Sequence, residues 1–324
     1  MGYIEDISQI YPLSVEDIIL VSRKFVPRNY KNRPWDYPGM NHGTACLSNE
    51  EQLCCYMAAY GDMHKGKLNK ILSDFPINKI DSDLEIIDWG CGQGIGSATI
   101  IEILKQRNLI QWLRKVTLIE PSRCAIERAN DNIRILTHDA VEIDVKNLFL
   151  PTNDIAEGET LSSIGYRYKN VIHVFSNILD VTTINLGAVA RMVASAHGKH
   201  FILCIGPKNG AAYRIEKFCS VFGEQFYFSQ INSVRYARTK RTAHPYTCMT
   251  RCFEYNGATI DISRLALVGD SHEAIYNEYD FRLQIQNHVL SPQKARVAWK
   301  LEKILSVDDI MYIYRAQNEA CNGV

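Results

Sequence analysis

Residues 84–255 alternate short apolar runs with longer helical patterns, and this alternation restricts the possible folds more than any other feature of the chain. The apolar runs lie at 84–88, 115–120, 133–136, 170–176 and 200–206, and the helices between them are predicted at about 96–107, 122–131, 182–196 and 209–222. Two later runs, at about 226–236 and 246–255, are separated by no helical pattern and predict a hairpin. The chain is therefore predicted to form an α/β fold with a doubly wound, mostly parallel sheet that ends in an antiparallel hairpin.

The segments on either side of this alternation read as helical. We predict three parts: a helical N-terminal cap at 1–83, the sheet domain at 84–255 and a helical C-terminal extension at 256–324. Within the cap, the residues from Ser48 onward resemble a helix start, with acids in the first turn.

Composition limits the classes of function. The 324 residues are 46% hydrophobic and carry a formal net charge of zero, so no global field attracts the chain to nucleic acid or an anionic membrane. The N-terminus lacks the pattern of a signal peptide, and no run of about 18 apolar residues predicts a membrane helix. We therefore expect a cytoplasmic protein without membrane contact, with ten reduced cysteines and no metal site.

The first predicted strand ends in an acid and a glycine-rich turn. Asp88 is followed by glycines at 90, 92, 94 and 96 and then by a helix. A dinucleotide-binding turn, G-x-G-x-x-G, would place its third glycine at Ile95, and a P-loop needs a Lys-Ser or Lys-Thr pair that is missing here. A carboxylate at this position suits the ammonium group of a ligand and disfavours a pyrophosphate, so neither phosphate motif is predicted.

Two more acids follow predicted strands in order. Glu120 ends the second strand, where a carboxylate can accept hydrogen bonds from both ribose hydroxyls. Asp139 and Ala140 follow the run at 133–136, so a third carboxylate and a backbone N–H are expected at the same edge. Ligands of doubly wound sheets bind outside the carboxyl ends of the strands, so these groups are expected to converge.

This ordered set resembles class I S-adenosylmethionine (SAM)-dependent methyltransferases over about residues 84–255. The resemblance implies a seven-stranded sheet with an antiparallel last hairpin, and SAM as the cofactor. It also assigns roles: motif I matches Asp88, Gly90, Gly92 and Gly94, the ribose acid matches Glu120, and the adenine contacts match Asp139 and Ala140.

The end of the fourth predicted strand is where the methyl acceptor is expected. Phe175 and Ser176 are predicted to face the methyl group, Asn177 to hold the acceptor and Asp180 to take a proton. The alternative is that Asn177 caps the next helix and Asp180 is a solvated acid. The [DNS]-P-P-[YFW] motif of amino-directed nucleic-acid methyltransferases does not occur here.

Two further groups are predicted to bind the acceptor. Tyr60 and His64 share one face of the N-terminal helix, and Arg235, Arg238, Lys240 and Arg241 form a basic segment suited to RNA. RNA or an RNA-bound assembly is therefore the first candidate acceptor, and the alternatives are a small-molecule or protein methyltransferase and a catalytically silent binding module. No oligomeric state is predicted.

A second, fainter resemblance is to ribosomal small-subunit methyltransferase-like proteins. It is carried by Tyr56-x3-Tyr60-Gly61, by the glycine-rich turn and by Ser176-Asn177-x-Leu179. The cysteine cluster of that family is missing from this sequence.

Overall fold

The predicted alternation forms a single 7-stranded sheet with helices packed against it. The computed structural model describes residues 2–40, 45–152, 168–195, 198–207, 213–222, 226–239, 242–255 and 260. For residue 74 and for residues 226–239 and 242–247, only the backbone is described. The predicted C-terminal extension, apart from residue 260, lies outside the described residues.

Strands and helices alternate through the sheet domain, after three N-terminal helices. The helices are α1 Tyr3–Ser8, α2 Val15–Lys24, α3 Glu50–Asp74, α4 Ile95–Gln106, α5 Arg123–Thr137, α6 Leu186–Ala194 and α7 Tyr213–Ser220. The strands are β1 Leu84–Trp89, β2 Leu113–Ile119, β3 Glu142–Lys146, β4 Asn170–Ser176, β5 Lys199–Pro207, β6 Phe226–Thr239 and β7 Thr242–Tyr255.

The strand order is β3-β2-β1-β4-β5-β7-β6. Strands β1 to β5 pair in parallel, whereas β7 pairs antiparallel with both β5 and β6. The predicted doubly wound, mostly parallel sheet with an antiparallel last hairpin is thus confirmed. The order reverses direction between β1 and β4, and ligands of such sheets bind in the crevice at this point.

The third strand was predicted at the wrong place. Residues 133–136 lie inside α5, where Ile126, Ala129, Ile133 and Leu136 are buried at helical spacing on one face. The true third strand, β3, is a mostly polar edge strand, so it lacks the apolar run that marks a buried strand.

Buried charges hold this polar edge strand to its neighbours. The Lys115 ammonium on β2 lies 3.1 Å from Asp144 on β3 and 3.3 Å from Glu85 on β1. Lys115 is 3% exposed, so its charge needs these partners, and the pairs fix the register of three strands.

The N-terminal helices share one apolar core with the sheet. Ile18 of α2 and Leu68 of α3 belong to the same buried cluster as Ile86 of β1 and Ile100 of α4. The boundaries of the three predicted domains stay a prediction. Among the described residues, no helix combines the length and apolar character needed to cross a membrane.

Candidate functional site

The turn after β1 leaves an open face beside its central glycine. Gly90, Gly92 and Gly94 have φ angles of 67°, 52° and 80°, which favour glycine. A Cβ at Gly90 would lie 2.7 Å from Ile178 Cγ1, so the turn packs tightly against the loop after β4. A Cβ at Gly92 would meet no described atom within 4 Å, so a ligand can approach the backbone there.

Asp88 holds the start of helix α4. Its Oδ2 accepts hydrogen bonds from the Ser97 backbone N–H at 2.9 Å and from Ser97 Oγ at 2.8 Å. The residue is 1% exposed, and burial raises the pKa of its carboxyl to about 6 despite these bonds. Its observed role is therefore to cap the helix beneath the glycine turn, and its predicted contact with a ligand stays a prediction.

Glu120, directly after β2, lies against the same turn. One carboxylate oxygen accepts from the Gly92 backbone N–H at 3.0 Å and the other from the Ser122 backbone N–H at 2.9 Å. Burial raises the pKa of Glu120, although both backbone bonds act against that shift. Each oxygen keeps a further lone pair, so the fixed carboxylate can still accept from a pair of ligand hydroxyls.

The third predicted acid lies elsewhere. Asp139 and Ala140 follow α5 and precede β3, so they are at the amino end of that strand and away from the carboxyl edge. The Asp139 carboxylate pairs instead with Arg134 at 2.8 Å on the surface. Their predicted adenine contacts are therefore wrong, because the strand that was to precede them is part of a helix.

The residues at the end of β4 divide between the core and the crevice. Phe175 is fully buried and stacks on Trp89 with ring centroids 5.4 Å apart, so its predicted place facing the methyl group is wrong. Ser176 is partly exposed, and its Oγ accepts from Asn177 Nδ2 at 3.2 Å. The Asn177 backbone takes a left-handed φ of 57° and donates its N–H to the Ile205 carbonyl at 2.7 Å.

Helix α3 covers this end of β4 and supplies a chain of hydrogen bonds. Lys67 Nζ donates to Asn177 Oδ1 at 2.7 Å, Asn177 Nδ2 lies 2.8 Å from His64 Nδ1, and His64 Nε2 lies 3.0 Å from the Tyr56 hydroxyl. Both hydrogens of the Asn177 amide are directed at His64 and Ser176 within the protein. The predicted role of Asn177 in holding the acceptor by its amide stays a prediction.

Tyr60, predicted to bind the acceptor, lies on the same face of α3. Its ring centroid is 5.1 Å from that of Tyr56, whose ring in turn stacks on His64 at 5.8 Å. The helix is attached to the glycine turn because Gln93 Nε2 donates to the Leu53 carbonyl at 3.0 Å. Tyr60 and His64 are thus beside the crevice, where their contact with an acceptor stays a prediction.

Asp180 has an uncompensated carboxylate oxygen. Its Oδ1 is buried without a hydrogen-bond partner among the described groups and lies 4.0 Å from the position of a Cβ on Gly206. Burial raises the pKa of Asp180, while Lys67 and Arg214 lower it by a smaller amount. A carboxylate whose pKa is raised by burial is a stronger proton acceptor than an exposed one.

The predicted basic segment belongs to the hairpin of β6 and β7. Strand β5 ends at Pro207 opposite Cys248, so Thr242–Thr247 of β7 continue beyond the carboxyl edge, paired with β6. Arg235 and Arg238 lie on this part of β6, where only the backbone is described, and Lys240 and Arg241 lie outside the described residues.

Two residues of the site, Tyr56 and Lys67, were missing from the predicted set. Lys67 is fully buried and Tyr56 is partly exposed. The available signal was helical spacing, because 56, 60, 64 and 67 fall on one face of a helix. Lys65, which is nearer to His64 in sequence, instead pairs with Glu16 at 3.0 Å.

Comparison with solved structures finds methyltransferases at low sequence identity. One is magnesium protoporphyrin IX methyltransferase from Synechocystis PCC 6803 with bound SAM (14% identity, 72% of this chain and 97% of that chain, TM-score 0.40). A second is the plantazolicin methyltransferase BpumL in complex with SAH (10% identity, 75% of this chain and 98% of that chain, TM-score 0.38). A third is a SAM-dependent methyltransferase from Aquifex aeolicus (11% identity, 59% of this chain and 92% of that chain, TM-score 0.37). No protein-family model and no curated protein matches the chain.

Proposed function

We propose that the chain binds SAM at the carboxyl edge of the sheet and transfers its methyl group. The observation that carries this proposal is the Glu120 carboxylate, fixed by two backbone N–H groups beside the open face of Gly92. A rigid carboxylate next to an accessible backbone suits a nucleoside, whose ribose hydroxyls donate to the acid.

The start of α4 argues against a phosphate-bearing ligand. Helix N-termini bind phosphate through free N–H groups and a positive dipole end. Here the Ser97 N–H already donates to the buried Asp88 carboxylate, and a second negative charge beside it would be repelled. A sulfonium nucleoside, which carries positive charge and no phosphate, fits this electrostatic environment.

The residues present fit SAM by shape and by charge. Gly92 provides a cradle that any side chain would fill, Glu120 would hold the ribose, and Asp88 would add negative potential beneath the turn. When bound, SAM supplies an electrophilic methyl group. Asp180 would receive, at the unpartnered Oδ1, the proton that an N–H or O–H acceptor loses on methylation.

For the acceptor, we propose RNA or an RNA-bound assembly. The support is the hairpin backbone, which carries Arg235 and Arg238 beyond the carboxyl edge. The alternative, a small-molecule or protein acceptor, is supported by helix α3, which covers the end of β4. Incubation with labelled methyl donor and separate RNA, protein and metabolite fractions separates them, because only the fraction that holds the acceptor takes up label.

The test of the SAM site is Gly92→Asn. Asparagine tolerates a left-handed φ better than most residues, so the turn should persist while the side chain fills the open face. We expect SAM affinity in calorimetry to fall at least about tenfold. Gly2→Asn, at another glycine whose Cβ would meet no described atom, should leave affinity unchanged. Full binding by Gly92→Asn would show that the ligand does not approach this turn.

A further inference from the structure

The hydrogen-bond chain from Lys67 to Tyr56 has a defined direction. An ammonium group only donates, so Asn177 Oδ1 is the acceptor and Asn177 Nδ2 is the donor to His64 Nδ1. A neutral imidazole that accepts at Nδ1 carries its hydrogen on Nε2, which then donates to the Tyr56 oxygen. The Tyr56 hydroxyl is thereby left with its own proton to give to another group.

The surroundings keep this direction fixed. The Asn177 backbone is anchored to Ile205, and Lys67 is fully buried. Burial, with a smaller effect of Lys67, lowers the pKa of His64 to about 3, so the ring is neutral at pH 7. Burial lowers the pKa of Lys67 to about 8, which leaves it mostly protonated at pH 7. Donors aligned in one direction polarise each other, so the Lys67 charge strengthens the Tyr56 hydroxyl as a donor.

The Tyr56 hydroxyl is within electrostatic range of two acids of the crevice, Glu120 and Asp180. Burial raises the pKa of its hydroxyl, and Tyr60, Glu120 and Asp180 add to that shift, so these groups are its electrostatic neighbours. The carboxylates suit the ammonium and the sulfonium of SAM but would repel its carboxylate. That carboxylate needs a donor, and a neutral hydroxyl polarised by a buried ammonium supplies one.

We propose that Tyr56 donates a hydrogen bond to the carboxylate of bound SAM, and that Lys67 is a positioning residue that orients Tyr56 through Asn177 and His64. This inference rests on the proposed function. It assigns Tyr56 a binding role and explains why a lysine is buried where no ligand contact is required of it. Removal of Lys67 should therefore weaken SAM binding only while the Tyr56 hydroxyl is present.

The experiment compares SAM with decarboxylated SAM, which keeps the sulfonium and amine but lacks the carboxylate. In calorimetry, Tyr56→Phe should weaken SAM binding about tenfold and leave decarboxylated SAM unchanged. Lys67→Met should also weaken SAM binding in the wild-type background but cause no further loss in the Tyr56→Phe background. Lys65→Met, a lysine paired with Glu16, is the matched control and should bind SAM normally.

Nitrogen-15 NMR of His64 in the wild-type protein provides a readout that needs no variant to fold. The hydrogen-bond directions predict that His64 is the Nε2–H tautomer and that its ring does not titrate between pH 5 and 8. An Nδ1–H tautomer, equal losses for both ligands in Tyr56→Phe, or additive effects of the two substitutions would overturn the inference. If the wild-type protein binds neither ligand, the proposed function itself is wrong.

Discussion

Glu120 is the single residue on which the proposed ligand site depends most directly. Replacement by alanine removes the acceptor for two ribose hydroxyls and leaves the Gly92 and Ser122 N–H groups without their partner. We expect Glu120→Ala to weaken SAM binding by about 2 kcal/mol, or about 30-fold. Calorimetry with Glu127→Ala, an exposed acid paired with Arg123 on α5, gives the control. An unchanged dissociation constant for Glu120→Ala would remove the ribose assignment.

Burial of the charged Asp88 carboxylate should make the protein less stable at high pH. Its folded pKa of about 6 exceeds the ordinary 3.8, so wild-type stability rises as the pH falls from above 6 toward 3.8 and is lost as the pH rises through 6. Asparagine carries no charge and therefore has no cost of burying one. The free energy of unfolding of Asp88→Asn minus that of wild type, measured with urea, should therefore be about 1–3 kcal/mol more favourable to the variant at pH 8 than at pH 4. The same difference at both pH values would contradict the buried, charged state of Asp88.

Single residues at strand ends were predictable where a local pattern fixes the backbone. Gly92 and Glu120 were found because a glycine turn and a strand-end acid have their own sequence signals. Lys67 has no motif of this kind, and helical spacing is its only sequence signal. Its role depends on the left-handed Asn177, 110 residues away, which only the tertiary structure brings beside it.

Among the elements, α3 connects the N-terminal region to the site. Its N-cap Asn49 accepts from the Gln52 N–H at 2.9 Å. Asn49→Ala should lower the free energy of unfolding by about 1 kcal/mol, because the first turn loses its side-chain acceptor. Urea unfolding measures the loss, and Asn78→Ala, at an exposed asparagine, should cost less than half as much. Equal effects would show that the cap does not stabilise α3.

The elements also show why one strand was misplaced. Buried strands such as β1 and β4 are recognised in the sequence as apolar runs because both faces of a parallel sheet are covered. Strand β3 lies at the edge and is held partly by the ion pair of Asp144 with Lys115, a contact between distant segments. Its sequence alone therefore gives no hydrophobic signal, and the run at 133–136 was mistaken for it.

At the scale of the whole described chain, buried polar groups cross the sheet on both sides of β1. Glu85 of β1 pairs with Lys115 of β2 on one side. On the other, Trp89 Nε1 donates to His173 Nδ1 at 3.1 Å, and His173 Nε2 lies 2.9 Å from His200 Nδ1. Burial lowers the pKa of His173 well below its ordinary value. The folded protein therefore excludes protons from a histidine that binds them once the chain unfolds.

This exclusion predicts loss of stability in mild acid. Unfolded His64 and His173 bind protons as the pH falls through about 6.5, whereas the folded rings do so only at much lower pH, so acid favours unfolding. Asp88 acts in the opposite direction below pH 6 and offsets part of this loss. Together these three groups should lower the free energy of unfolding by about 1–2 kcal/mol between pH 7.5 and 5.5.

Urea unfolding at the two pH values tests this prediction. The free energy of unfolding of Asp88→Asn should decline more steeply than that of wild type because the offset from Asp88 is gone. Stability that rises toward pH 5.5 in both wild type and Asp88→Asn would contradict the neutral state of the two histidines in the fold, and a charged His64 could not accept from Asn177.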